Sequence, residues 1–122
     1  MKILIAEDDD GMREMMLAQL SDMGHEVAAA ENGQELVKLA LDDKPDLIVT
    51  DMHMPEMTGD SMIAMMDMYP PLAGTPVIMV TGATPMELED AGIPKEITVL
   101  PKPVDFARLA EEIAKIASRQ GG

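Results

Sequence analysis

Five short apolar runs that alternate with stretches of helical spacing restrict this chain more than any other feature. The runs are Ile3-Leu4-Ile5-Ala6, a weaker one of small residues at 25–30, Leu47-Ile48-Val49-Thr50, Val77-Ile78-Met79-Val80 and Ile97-Thr98-Val99-Leu100. Each is four to six residues long and three are rich in β-branched side chains, which suits strands buried on both faces. Between them lie helical patterns with recognisable stops and starts. Met12, Met15, Met16, Leu20 and Met23 recur at three-to-four spacing up to Gly24, with Asp9 or Asp10 able to cap the first turn. Asn32 and Glu35 have capping-box spacing ahead of Leu36, Val37, Leu39, Ala40 and Leu41. A third pattern carries Met62, Ile63, Met65, Met66 and Tyr69 and halts at Pro70-Pro71. Thr84-Pro85-Met86-Glu87 joins a capping box to a proline at the first helical position and opens a short helix to about Ala91. The last pattern has Phe106, Leu109, Ala110, Ile113 and Ile116, with residues 119–122 expected as a frayed tail.

Strict alternation of strand and helix demands a parallel sheet with helices on both faces and right-handed crossovers. Five units are too few for an eight-unit barrel. The expected fold is therefore a flavodoxin-like, doubly wound sheet of order 2-1-3-4-5 with five helices, formed by residues 1–122 as a single domain. The first and third strands are then neighbours.

Charge and composition exclude several functions. Twenty-three acidic against nine basic residues leave a net charge of -14, which repels phosphate backbones and anionic lipid. Neither direct nucleic-acid binding nor membrane binding is expected. There is no cysteine, hence no disulfide, thiolate metal site or thiol nucleophile. The opening residues resemble neither a signal peptide nor a membrane span, so a soluble cytoplasmic protein is expected. Fourteen methionines against one Phe and one Tyr point to methionine packing in the core.

The polar groups that close the runs carry the chemistry. Glu7 and Asp8 follow the first run, Asp51 the third, Thr81 the fourth and Lys102 the fifth. Parallel strands bring all of them to one edge of the sheet. Three carboxylates there repel one another unless a cation sits among them, and an all-oxygen set suits Mg²⁺ or Mn²⁺. A lysine and a hydroxyl facing the same point would let the site hold a phosphoryl group, with Asp51 able to act as nucleophile.

Four segments taken in order carry a family resemblance: the Ile-Leu-Ile-Ala-Glu-Asp-Asp opening that ends at Asp9, the stretch from Asp51 through His53 and Pro55 to Gly59, Val80-Thr81-Gly82, and Lys102-Pro103. Over nearly its whole length the chain resembles a response-regulator receiver domain of two-component signalling, of the chemotaxis-regulator kind and able to stand alone. The resemblance implies Asp51 as phosphoacceptor and Glu7, Asp8, Asp51 and the backbone carbonyl of His53 as Mg²⁺ ligands. It implies Thr81 and Lys102 as the phosphoryl-binding hydroxyl and ammonium, with a commonly cis Lys102-Pro103 peptide. It further implies a sensor histidine kinase or histidine phosphotransfer protein as donor, a downstream protein as target, and pairing of two copies on phosphorylation. Such a domain catalyses its own phosphorylation and dephosphorylation without being a turnover enzyme.

Three residues depart from the family pattern. Val99 stands where Tyr or Phe is usual, Gly82 where Ala is usual, and the helix from Pro85 is short. A phosphorylation-independent receiver-like interaction module is the alternative that Val99 leaves open. A phosphohydrolase with an Asp nucleophile would need a second Asp two residues beyond it after the first strand, together with a cap for which this chain has no length.

Overall fold

The computed structural model describes residues 1–51, 61, 64, 67–70, 72, 74–93 and 97–120. Five strands, β1 (Lys2–Ala6), β2 (Glu26–Ala30), β3 (Leu47–Thr50), β4 (Val77–Thr81) and β5 (Thr98–Pro101), form one sheet of order β2-β1-β3-β4-β5. All four pairings are parallel, as alternation required. Four helices lie among the described residues: α1 (Asp10–Asp22), α2 (Gly33–Asp42), α3 (Pro85–Asp90) and α4 (Phe106–Gln120). The fifth expected helix, that of Met62 to Tyr69, falls largely outside the described residues.

Side chains alternate across a strand, so each run feeds two cores. Ile3, Ile5, Leu47, Val49, Ile78, Val80 and Leu100 pack on one face against Met16 and Leu20 of α1 and Leu109, Ile113 and Ile116 of α4. Leu4, Ala6, Ala30 and Ile48 pack on the other against Leu36, Val37 and Ala40 of α2. Truncating a fully buried member such as Leu20 or Leu109 to Ala costs about 2–5 kcal/mol by lost transfer energy and cavity formation. Methionine does enter the core, with Met16 and Met79 buried, yet Met15, Met68 and Met86 are exposed.

The helix starts follow their local chemistry. Asp9 caps α1, its side chain accepting the Met12 amide at 2.7 Å, and Asn32 accepts the Glu35 amide at 2.8 Å at the head of α2. Thr84 and Glu87 form the reciprocal capping box of α3, with Pro85 in its first turn. Gly24 takes a φ of 92° just beyond α1, where a side chain would be strained. Helix α4 runs to Gln120, and residues 121 and 122 of the expected tail lie outside the described residues. No helix-breaker stands before Gly121, and Arg119 in the last turn suits the negative end of the helix dipole.

Candidate functional site

The sheet reverses its winding at β1, which lies between β2 and β3, and the crevice at such a reversal is where open α/β sheets place ligands. Register then decides what meets there. Ala6 pairs with Thr50 as the last matched residues of β1 and β3, and the Asp51 amide donates to the Ala6 carbonyl at 3.3 Å. Glu7 and Asp51 consequently leave their strands side by side. Thr81 pairs with Pro101 at the ends of β4 and β5, and the Lys102 amide donates to the Thr81 carbonyl at 3.0 Å.

Carboxylate oxygens of Glu7, Asp8 and Asp51 all lie within 4.8 Å of one another. Glu7 and Asp51 are buried, at 2% and 7% exposure, while Asp8 is exposed. Lys102 answers this charge. Its ammonium donates to Asp51 Oδ2 at 2.7 Å and to Glu7 Oε1 at 3.0 Å, forming a bridge from the last strand to the first and third. Burial pushes the Glu7 carboxyl above its ordinary range, and Asp8 adds to the rise that Lys102 and the Asp9 amide oppose. Burial would lower Lys102, but its bonds to Asp51 and Glu7 outweigh that and hold it above its ordinary value.

Thr81 is buried, and its hydroxyl oxygen accepts the Ala83 amide at 3.2 Å. The Lys102-Pro103 peptide is cis. Glu7, Asp8, Asp51 and Lys102 thus form one cluster, with Thr81 at the adjoining strand tip tied to Lys102 through the main chain. The His53 carbonyl, expected as a metal ligand, lies outside the described residues.

The donor chemistry fits a hard divalent cation. Three carboxylates converge, the chain has no cysteine to offer a thiolate, and one lysine cannot balance three acids.

Residues 3–114 match the family described as Response regulator receiver domain. The chain belongs to that family. This receiver domain is 30% identical over 116 residues to the response regulator receiver protein CpdR of Brucella abortus, covering 94% of this chain and 95% of that protein. It is 37% identical over 110 residues to a response regulator receiver protein of Anaeromyxobacter sp., where the match covers 90% of this chain but only 46% of the relative. The structure of the Vibrio cholerae chemotaxis protein CheY4 superposes with a TM-score of 0.85 at 30% identity, covering 94% of this chain and 97% of that one.

Two features of the receiver were not legible beforehand. Arg13, which sequence reasoning passed over, reaches back from α1 and donates to the Glu7 carbonyl at 3.0 Å. Its spacing after the acidic run, one turn beyond Asp10, was the available signal. The second is a groove of about 580 Å³ between α3 and β5, lined by Pro85, Leu88, Glu89, Ile93, Ile97 and Val99. Val99 is one of its walls, so the position where the family resemblance anticipates an aromatic ring opens onto space. No helix among the described residues is long and apolar enough to cross a membrane.

Proposed function

We propose that this receiver domain accepts a phosphoryl group on Asp51 in a Mg²⁺-dependent reaction and thereby switches its affinity for a protein partner. The convergence of Glu7, Asp8 and Asp51 within 4.8 Å, with Lys102 bonded to Asp51, is the observation that carries this reading. Glu7, Asp8, Asp51 and the backbone carbonyl of His53 would hold the ion, with Mn²⁺ able to substitute. Bound there, the metal supplies positive charge against which phosphoryl oxygens are neutralised.

An oxygen of Asp51 attacks phosphorus, and the bond from phosphorus to the donor nitrogen or oxygen breaks with its electron pair leaving on the donor. Lys102 exchanges its contact with the Asp51 carboxylate for one with a phosphoryl oxygen, and the Thr81 hydroxyl donates to another. The Thr81 oxygen can keep accepting the Ala83 amide while its O–H donates, so a move of Thr81 carries residue 83 with it. Three residues, 82–84, separate Thr81 from α3, whose capping box begins at Thr84. A displacement of Thr81 therefore reaches the α3 and β5 face directly, as a shift in population between two arrangements.

The donor is a phosphohistidine on a sensor histidine kinase or phosphotransfer protein, and the output is a downstream protein or a second copy of this chain. Residues 1–122 act as one domain in the cytoplasm. A net charge of -14 argues against nucleic acid as the target. The domain catalyses its own phosphorylation and hydrolysis and turns over no other substrate.

Intact mass after incubation with a small acyl phosphate tests the reading. A gain of one phosphoryl group that requires Mg²⁺ and disappears in Asp51→Asn is expected. An equal gain in Asp51→Asn, or none in the folded native chain, would overturn it.

A further inference from the structure

Glu7 is the pivot of the acidic cluster, and its main chain is held at both ends. Its amide donates to the Ala30 carbonyl of β2 at 3.1 Å, which carries the sheet pairing one residue past β1. Beyond it the chain must turn into α1, and there the Arg13 guanidinium intervenes. Nη1 donates to the Glu7 carbonyl at 3.0 Å, Nη2 pairs with Asp10 at 2.5 Å, and Glu31 of the following loop stands 3.9 Å away. The Arg13 side chain is only 16% exposed while Asp10 and Glu31 are largely in solvent. Withdrawing a guanidinium from water for an exposed ion pair is a poor exchange. A second donor bond to a main-chain carbonyl at the turn gives that burial its purpose.

The fork of Arg13 fixes the plane of the peptide joining Glu7 to Asp8, and so the direction in which both carboxylates leave the chain. Mg²⁺ demands near-ideal octahedral geometry and tolerates little displacement of its ligands. We propose that Arg13 is a positioning residue for the divalent cation, acting through the Glu7 carbonyl without touching metal or phosphoryl group. This rests on the reading of Glu7, Asp8 and Asp51 as Mg²⁺ ligands.

The sign of the effect separates this role from electrostatics. A nearby positive charge repels a cation, so if Arg13 acted by charge alone its removal would tighten Mg²⁺ binding. If it positions the ligands, removal weakens binding, and partners that orient a metal's ligands are typically worth 10- to 100-fold in affinity. Lysine keeps the charge but cannot span carbonyl and carboxylate with a planar fork.

Calorimetric titration with MgCl₂ alone, on the native chain, Arg13→Ala and Arg13→Lys, each shown folded by circular dichroism at the temperature used, decides the matter. Both variants are expected to bind Mg²⁺ about tenfold or more weakly. Unchanged or tighter binding in Arg13→Ala, or native affinity in Arg13→Lys, overturns the proposal. A loss of melting temperature without a loss of affinity makes Arg13 merely structural and overturns it as well. If Arg13→Ala does not fold, Arg13→Lys decides. Absence of Mg²⁺ binding in the native chain instead removes the metal site itself, and this inference with it.

Discussion

Replacing Lys102 with Met keeps the stem and removes the ammonium that links Asp51 and Glu7. At an effective dielectric constant of about 20, charges 2.7 and 3.0 Å apart attract by roughly 6 and 5.5 kcal/mol. Desolvation consumes most of this, and removing one partner of a buried pair generally costs about 3–5 kcal/mol. Lys102 keeps 29% of its side chain in solvent, so a cost of about 2–3 kcal/mol, at or below the lower end of that range, is expected without metal. At this chain length that is roughly 8–12 °C in melting temperature. A divalent ion supplies the missing charge, so saturating Mg²⁺ should shrink the deficit to under about 1 kcal/mol. Urea denaturation of both chains in chelator and in MgCl₂ gives the four midpoints needed. Equal stability in chelator, or an equal gain from Mg²⁺ in both chains, would refute the reasoning, because either result means that lysine and metal do not share one charge cluster.

Other tests follow from particular groups. The Glu7 carboxyl is raised in the folded state, so its contribution to stability is whole below the ordinary value of 4.5 and is lost as pH rises through the folded value. Metal-free stability should therefore fall from pH 4.5 towards neutrality, and Glu7→Gln should flatten that fall; parallel profiles for the two chains would contradict it. Thr84→Ala removes the acceptor of the Glu87 amide at 3.2 Å and should cost about 1 kcal/mol in urea denaturation, with no change meaning that α3 frays in the native chain. Val99→Phe should be accommodated within about 1 kcal/mol because Val99 faces the groove rather than close-packed core; a loss above about 2 kcal/mol would mean that the groove is closed in solution.

Much of this architecture was legible because short-range chemistry and global topology agree. The runs ending at Ala6 and Thr50 are apolar on both faces and are followed at once by acids, so a parallel sheet of the expected order had to gather Glu7, Asp8 and Asp51. The caps at Asp9, Asn32 and Thr84 are local signals and appear where the residues sit. What escaped depends on reach across space. Arg13 finds the Glu7 carbonyl only after α1 folds back over the turn, and no periodicity announces such a contact. The double bridge from Lys102 to Asp51 and Glu7 joins residues 51 and 95 positions apart, a reach that only the finished sheet provides.

The bridge from Lys102 also ties the two ends of the chain together. Its partners precede it by 95 and 51 residues, and β5, which delivers it, is an edge strand laid down last. Without β5 the tips of β1 and β3 would hold their acids together with no Lys102 ammonium between them. Docking of β5 is what brings the ammonium to Glu7 and Asp51. The charge balance of the acidic cluster therefore depends on completion of the sheet, because the last strand carries the lysine and the first and third carry the acids.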